Sequence, residues 1–212
     1  MLTPLVIVLA LAGAAWGFVA DRIGARWPAH EDASVRPPDW RTAVTVATGA
    51  VALGGVALRF TEPVPLAVIG AYLVALVLLM ATDLDQRLLP NVITLPLVPL
   101  ALAFDLTGLN PLVPPDAILV AAVVAVVVPG LLYLASIPFG AGAFGEGDVK
   151  LLVSVGLVAG GMRLFTGVLY GTVLAGVVIV VLMALGRIGR KSYVPFGPFL
   201  ILGATWAILA AP

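Results

Sequence analysis

The sequence predicts an all-α polytopic membrane protein of about eight transmembrane helices, with both termini on the outer side of the membrane. Hydrophobic residues make up 62% of the 212 residues and charged residues only 10%, whereas a soluble domain has about 45–50% and about 25%. A soluble fold of this length could not hide so much apolar surface. The apolar residues also form long runs, and the cations fall mainly between alternate runs. This pattern is typical of a chain that crosses a bilayer repeatedly.

Eight apolar runs give the candidate helices, since a helix needs about 20 mostly apolar residues to cross the hydrocarbon core. The first run has no basic residue before it, so we expect an uncleaved span rather than a signal peptide. The fourth run contains Pro96 and Pro99, which remove backbone donors and predict a kinked or partly re-entrant helix. In chain order the runs cover residues 2–20, 42–60, 64–82, 91–106, 117–138, 149–162, 164–186 and 195–211.

The distribution of Lys and Arg predicts the orientation, because cytoplasmic loops carry an excess of both. With the N-terminus outside, only Arg59 and Arg163 fall in external segments. The other nine cations fall in cytoplasmic segments: Arg22, Arg26, Arg36, Arg41, Arg87, Lys150, Arg187, Arg190 and Lys191. Both termini are therefore predicted to lie outside. Residues 21–41, the longest polar stretch, are expected to form a cytoplasmic surface loop.

Most acidic residues are expected to be solvated charges. Asp105, near the outer end of the fourth run, is expected to face water or to snorkel towards it. In the polar loop the same expectation holds for four residues whose charges balance nearby arginines: Asp21, Glu31, Asp32 and Asp39.

Three aspartates at the ends of apolar runs are different. Asp83 and Asp85 follow the third run without a polar spacer, and Asp148 directly precedes the sixth run. An ionisable group at the membrane border is costly and indicates a functional site. The alternative is that each carboxylate lies in headgroup water, paired with Arg87 or Lys150. The predicted topology puts all three aspartates on the cytoplasmic side, on helices that can pack side by side.

Two aspartates in one small polar cavity suit acid–base chemistry on a peptide bond. Like charges at short range do not both ionise comfortably, so such a pair shares a proton. One carboxylate then acts as general base on a water, and the other as general acid towards the scissile amide. The lack of cysteine excludes disulfides and thiolate zinc sites, and the single histidine, His30, lies in the polar loop. A site for a hard metal ion remains open, with oxygen ligands from Asp83, Asp85, Glu146 and Asp148.

Two glycines flank the acidic residue that precedes Asp148. Gly145 and Gly147 lack a Cβ atom, so the backbone there can adopt positive φ and lie close to a neighbouring chain. An extended substrate peptide is one such neighbour. Glu146, between them, is expected to be solvated, and Lys150 to anchor the helix at the membrane boundary.

Three short segments occur in the sequence. Each is a weak signal alone, but their combination in this order is specific. They are "DLDQRLLPNVITLPL" from Asp83, "GEGDVKLL" from Gly145 and "YVPFGPFLILG" from Tyr193. Together they resemble the bacterial type IV prepilin peptidases, membrane aspartic peptidases with a G-x-G-D motif. The resemblance implies that the chain removes the short basic leader of prepilin or pseudopilin substrates at the cytoplasmic face of the cytoplasmic membrane, without a cofactor. It implies Asp83 and Asp148 as the catalytic pair and a supporting role for Asp85.

One feature of that family is missing from this sequence. Many members carry, after the first span, an insertion with two Cys-x-x-Cys pairs that bind zinc, and they also N-methylate the new N-terminus. This chain has no cysteine and resembles the short forms, so neither zinc nor methyltransferase activity is implied. We expect one membrane peptidase domain over residues 1–212, with its catalytic core in 64–212. The apolar helix of the substrate would lie in the bilayer beside small residues of the seventh span, unless these only pack the enzyme's own helices.

Two functions of other classes stay open, a proton-coupled transporter or channel with an aspartate relay and a non-catalytic scaffold for pilus assembly. A relay predicts ionisable residues throughout the depth of the bilayer, whereas the acidic residues here cluster on one side. A scaffold would tolerate loss of either aspartate. Nucleic acid is not an expected partner, because the net charge is zero and there is no basic tail.

Overall fold

The computed structural model describes residues 4–28, 35–139, 144–189, 192 and 194–210, and within these ranges all regular secondary structure is helical. Short 3₁₀ turns, Pro115–Ala117 and Ile137–Phe139, flank the fifth helix. In chain order the α-helices are α1 (Pro4–Gly24), α2 (Trp40–Arg59), α3 (Pro63–Gln86), α4 (Asn91–Leu106), α5 (Ile118–Ser136), α6 (Glu146–Ala159), α7 (Gly161–Ala184) and α8 (Gly197–Leu209).

Each of the eight predicted runs forms a helix, but the helices differ in length. Five are long and apolar enough to cross a membrane, namely α1, α2, α3, α7 and the segment Pro115–Ser136 that contains α5. The helices α4 and α8 are apolar but shorter, and α6 has only 14 residues. Pro96 and Pro99 lie inside α4, which continues past both to Leu106. The membrane orientation stays a prediction.

The helix α3 is the centre of the bundle, because it packs against α1, α2 and α8 and most of its apolar side chains are buried. Its fully buried side chains are Ile69, Leu73, Leu76, Leu79 and Met80. By contrast, α5 and α7 expose many apolar side chains, among them Val126 and Val180, as a surface in contact with lipid does. The predicted site residue Asp83 therefore lies on the most buried of the five long helices.

Glycines let α7 and α8 lie in backbone contact. A Cβ atom added to Gly203 of α8 would lie 2.1 Å from the carbonyl oxygen of Gly167, and one added to Gly171 would lie 2.6 Å from that of Phe199. Larger side chains would force the two helices apart. Of the two roles left open for the small residues of the seventh span, these glycines pack the protein's own helices.

The polar segment after α1 is shorter than predicted, and Asp21 is not solvated. The helix α1 continues to Gly24 and α2 begins at Trp40, so Asp21 lies in α1, where it is only 1% exposed. The expectation was wrong because Asp21 accepts hydrogen bonds from Arg22, Arg36 and Thr42, which replace water. Asp39, at the start of α2, accepts from the backbone N–H of Arg41 as a helix cap. His30, Glu31 and Asp32 lie outside the described residues.

Asp105 is also buried, contrary to the expectation that it faces water. It has no exposed surface, and its Oδ1 accepts a hydrogen bond of 2.6 Å from Nδ2 of Asn110. Asn110 donates as well to the carbonyl oxygen of Val158, at 3.0 Å. This contact joins the end of α4 to the end of α6. The amide of Asn110 takes the place of water at Oδ1 of Asp105, whereas Oδ2 has no hydrogen-bond partner among the described residues.

Candidate active site

A pocket of about 410 Å³ lies where the end of α3 meets the starts of α4, α6 and α8. The chain reverses there at Arg87, which has a left-handed backbone (φ 57°, ψ 39°) and donates its N–H to the carbonyl oxygen of Asp83. The left-handed region is uncommon for a residue other than glycine. Because of this reversal, the last turn of α3 and the first turn of α4 face the same space. Residues from all four elements line the pocket, among them Asp83, Asn91, Asp148 and Gly197.

The carboxyl groups of Asp83 and Asp148 lie beside the same α-carbon, that of Gly197. A Cβ atom added to Gly197 would lie 2.6 Å from Oδ2 of Asp83 and 3.5 Å from Oδ1 of Asp148. Asp83 is 6% exposed. The structure therefore brings together in one pocket the two aspartates that the sequence predicted to form a pair, although they lie on different helices.

The start of α6 holds Asp148 in place. Gly145 is the N-cap of α6, and its backbone N–H donates to Oδ2 of Asp148 at 3.2 Å. A carboxylate in the first turn of a helix also interacts favourably with the helix dipole. Asp148 was predicted to precede the sixth helix, whereas it lies inside the first turn and caps that helix itself.

The glycines of the G-x-G-D segment serve close packing rather than positive φ. Gly145 has φ −74°, and a Cβ atom there would lie 3.2 Å from Oδ2 of Asp148. A Cβ atom on Gly147 would lie 2.9 Å from Cβ of Leu89, so only glycine lets α6 approach the chain reversal after α3 this closely. The close approach at Gly147 is to the protein's own Leu89, and the approach of a substrate peptide to this segment stays a prediction.

Asp85 faces away from the pocket. Two residues along an α-helix correspond to a rotation of about 200°, so Asp85 lies on the side of α3 opposite to Asp83. Its Oδ1 accepts from Nε of Arg36 at 2.6 Å and from Nη1 of Arg41 at 3.0 Å. Asp85 is not among the residues that line the pocket, so any support that it gives to the site must act through α3. In the described part of the chain no group of three acidic or histidine side chains is placed to hold a metal ion.

Polar side chains line the mouth of the pocket. Nζ of Lys150 donates to Oδ1 of Asn91 at 3.0 Å and lies 3.7 Å from Glu146. The Glu146 side chain is 78% exposed, which confirms the expectation that it is solvated. Lys150 links the start of α6 to the first residue of α4.

Sequence reasoning missed the residues that complete the pocket around the two aspartates. Gly197 stands inside the third quoted segment but was not predicted as a site residue, and no signal in the sequence alone marks it. The ring of Phe196 packs against that of Phe144 with 6.2 Å between centroids and an angle of 65°. Tyr193, from the same segment, lies outside the described residues.

Known proteins resemble this chain over the part that contains the two aspartates of the pocket. A family model described as the type IV leader peptidase family matches residues 70–183, a span that includes both aspartates. The prepilin leader peptidase/N-methyltransferase of Burkholderia pseudomallei (strain 1026b) is 33% identical over 186 residues, which cover 85% of this chain and 53% of that protein. The protein of the same name from Pseudomonas putida is 34% identical over 150 residues, which cover 66% of this chain and 51% of its own.

This chain spans about half the length of the curated relatives that it matches. No solved structure matches the chain significantly. The family match covers more than half of the sequence, and the relative from Burkholderia pseudomallei aligns with most of it. The resemblance noted from the three short segments is thereby confirmed, and the chain belongs to the type IV leader peptidase family.

Proposed function

We propose that the protein is a membrane aspartic endopeptidase that removes the short basic leader from prepilin or pseudopilin substrates. One observation carries the proposal: the carboxyl groups of Asp83 and Asp148 lie beside the same α-carbon, that of Gly197, in a pocket of about 410 Å³. Relatives named prepilin leader peptidase/N-methyltransferase support the choice of substrate. We confine the proposal to the peptidase reaction.

The chemistry requires only the two carboxyl groups and a water. Because the carboxyl groups are close and largely removed from solvent, one is ionised while the other keeps its proton. The ionised carboxylate takes a proton from water as the oxygen attacks the scissile carbonyl carbon. The protonated carboxyl first donates a hydrogen bond to the carbonyl oxygen, and a proton then passes to the leaving nitrogen as the C–N bond breaks. No covalent enzyme intermediate forms.

The short helices around the pocket explain how the site reaches a bond beside a membrane segment. With 14 residues, α6 extends about 21 Å, less than the roughly 30 Å of a hydrocarbon core. A pocket at its start can therefore lie below the membrane surface and still open to water. In this position the basic leader lies in the cytoplasm, while the apolar segment of the substrate lies in the bilayer. The excess of cations at this end of the bundle supports the cytoplasmic side of a bacterial cytoplasmic membrane.

Co-expression with a candidate prepilin tests the proposal. Wild-type protein should remove the leader, which a mobility shift detects, whereas Asp83→Asn and Asp148→Asn should each abolish removal while still accumulating in the membrane. Asp116→Asn is the matched control, because Asp116 lies in the exposed Pro115–Ala117 turn. Full cleavage by either pocket variant would show that the substituted aspartate is not catalytic. A transporter or a scaffold would leave the leader in place even with the wild-type chain.

A further inference from the structure

A cluster of ionic side chains outside the pocket ties α1, α2 and α3 together. We call it the arginine clasp. Arg36, between α1 and α2, lies at its centre and pairs through a different nitrogen with each of three carboxylates. The distances are 2.6 Å from Nη2 to Asp21, 2.7 Å from Nη1 to Asp39 and 2.6 Å from Nε to Asp85. The clasp consists of Asp21, Arg22, Arg36, Asp39, Arg41, Thr42 and Asp85.

The clasp is balanced in charge and largely buried. The side chains of Asp21 and Asp85 are 1% and 2% exposed, and the carboxylates of the clasp face as many guanidinium groups. Burial disfavours the charge on Arg36, but its hydrogen bonds with Asp21 and Asp85 outweigh burial and hold its pKa above the usual value. Removing one partner of such a group leaves a buried charge without compensation. Loss of Arg36 would therefore leave Asp21 and Asp85 only partly compensated, by Arg22 and Arg41.

The clasp acts on the side of α3 that lies opposite to Asp83. The end of a helix frays more readily than its middle, and α3 ends at Gln86, three residues after Asp83. Rotation of this last turn would carry the Asp83 carboxyl away from Gly197. Asp85 restrains the rotation through Arg36 and Arg41. Gln86 adds hydrogen bonds from Nε2 to the carbonyl oxygens of Gly24 and Pro28.

We propose that Arg36 is a positioning residue for the peptidase reaction: through Asp85 it fixes the rotation of the last turn of α3 and so holds Asp83 beside Gly197 and Asp148. The inference rests on the proposed function. Arg36 itself is not among the residues that line the pocket, so it acts on the reaction only through α3. Displacement of a catalytic group by about 1 Å can lower a rate about 100-fold, which makes such a restraint significant.

Only arginine suits this position. Its planar guanidinium presents donors in fixed directions, and here those directions point to carboxylates on α1, at the cap of α2 and on α3. The ammonium of lysine is a single point of charge at the end of a flexible chain. Arg36→Lys should therefore retain the charge but restore little of the activity that Arg36→Ala loses.

The test uses the purified full chain in detergent with a prepilin substrate, and it measures kcat and KM separately. We expect Arg36→Ala to lower kcat by about 10- to 100-fold with KM within twofold of wild type. Guanidinium chloride at concentrations that do not unfold the protein should restore part of kcat, whereas equal sodium chloride should not. Arg26→Ala is the matched control, because Arg26 is exposed and makes its hydrogen bond to the backbone of Arg22.

Wild-type kcat in Arg36→Ala would overturn the inference. So would a loss that guanidinium does not restore and that raises KM as well, since that pattern indicates a loosened fold. If Arg36→Ala does not accumulate, Asp85→Asn decides: a lower kcat at unchanged KM supports positioning, and wild-type kcat refutes it. Asp83→Asn and the wild-type chain separate this result from failure of the proposed function: cleavage by Asp83→Asn would remove the catalytic assignment of Asp83, and no cleavage by the wild-type chain would remove the peptidase assignment.

Discussion

The closest packing in the pocket occurs at Gly197, where the backbone of α8 touches the acidic pair. The α-carbon of Gly197 leaves room for the carboxyl groups of Asp83 and Asp148, which come from two other helices. At the scale of single residues, the acidic pair therefore requires a glycine at position 197 as well as the two aspartates.

We predict that Gly197→Ala abolishes most of the cleavage activity. The added Cβ atom would lie 2.6 Å from Oδ2 of Asp83, so the carboxyl group must move, and a shift of about 1 Å can lower a rate about 100-fold. The measurement is the initial rate of leader removal. Gly176→Ala is the control, because a Cβ atom there would meet nothing within 4 Å. Equal rates in the two variants would show that the contact at Gly197 does not matter.

The sequence identifies the two aspartates of the pocket but not the buried Asp21 and Asp105, because partners of those two acids lie beyond the end of the helix that carries each acid. Asp83 and Asp148 each adjoin a long apolar run, so their depth is visible in the sequence itself. The burial of Asp21 depends on Arg36, 15 positions later. That of Asp105 depends on Asn110, beyond the end of its helix. Such partners follow from the path of the chain after a helix ends, which hydropathy does not specify.

At the scale of elements, the start of α6 packs closely against the segment that joins α3 to α4. Its Gly147 packs directly on Leu89, in the reversal between α3 and α4, and this contact sets how far Asp148 reaches into the pocket. The predicted sixth helix began at residue 149, whereas α6 begins at Glu146. Helix boundaries are the least reliable part of a prediction from sequence. Here the difference of three residues changes the role of Asp148 to that of a helix cap.

We predict that Gly147→Ala lowers the cleavage rate because it pushes α6 away from Leu89. The added Cβ atom would lie 2.9 Å from Cβ of Leu89, so one of the two elements must shift. The same substitution should lower the rate less in a Leu89→Gly background, where the opposing Cβ is absent. Rates of the two single variants and the double variant form the cycle that measures this coupling. Strictly multiplicative losses would contradict the steric explanation.

At the scale of the whole molecule, the acidic pair and the buried Asp105 lie at opposite ends of the bundle. The pocket lies at the starts of α4 and α6, whereas the contact between Asp105, Asn110 and Val158 joins the ends of the same two helices. Because the two sites are far apart along the helices, we expect stability and catalysis to depend on different residues.

The number of helices and their order could be predicted from hydropathy. Their arrangement around α3 could not, because it depends on close contacts such as that of Gly203 with Gly167.

We predict that Asn110→Ala destabilises the fold without slowing catalysis. The substitution leaves Asp105 buried without its amide partner, which should lower the free energy of unfolding by about 1–3 kcal/mol. Thermal unfolding in detergent measures the loss, and the cleavage rate well below the melting temperature should stay at the wild-type value. Asp116→Asn, in the exposed turn before α5, should change neither quantity. An unchanged melting temperature in Asn110→Ala would show that the buried contact contributes little.

The central claim is that Asp83 and Asp148 act as one catalytic unit, and the combined substitution tests it most directly. The measurement compares the rate of leader removal by purified Asp83→Asn, Asp148→Asn and the double variant. Groups that act as a unit give non-additive losses, so the double variant should retain the same residual rate as either single variant. A wild-type rate in either single variant, or losses that multiply in the double variant, would contradict the account.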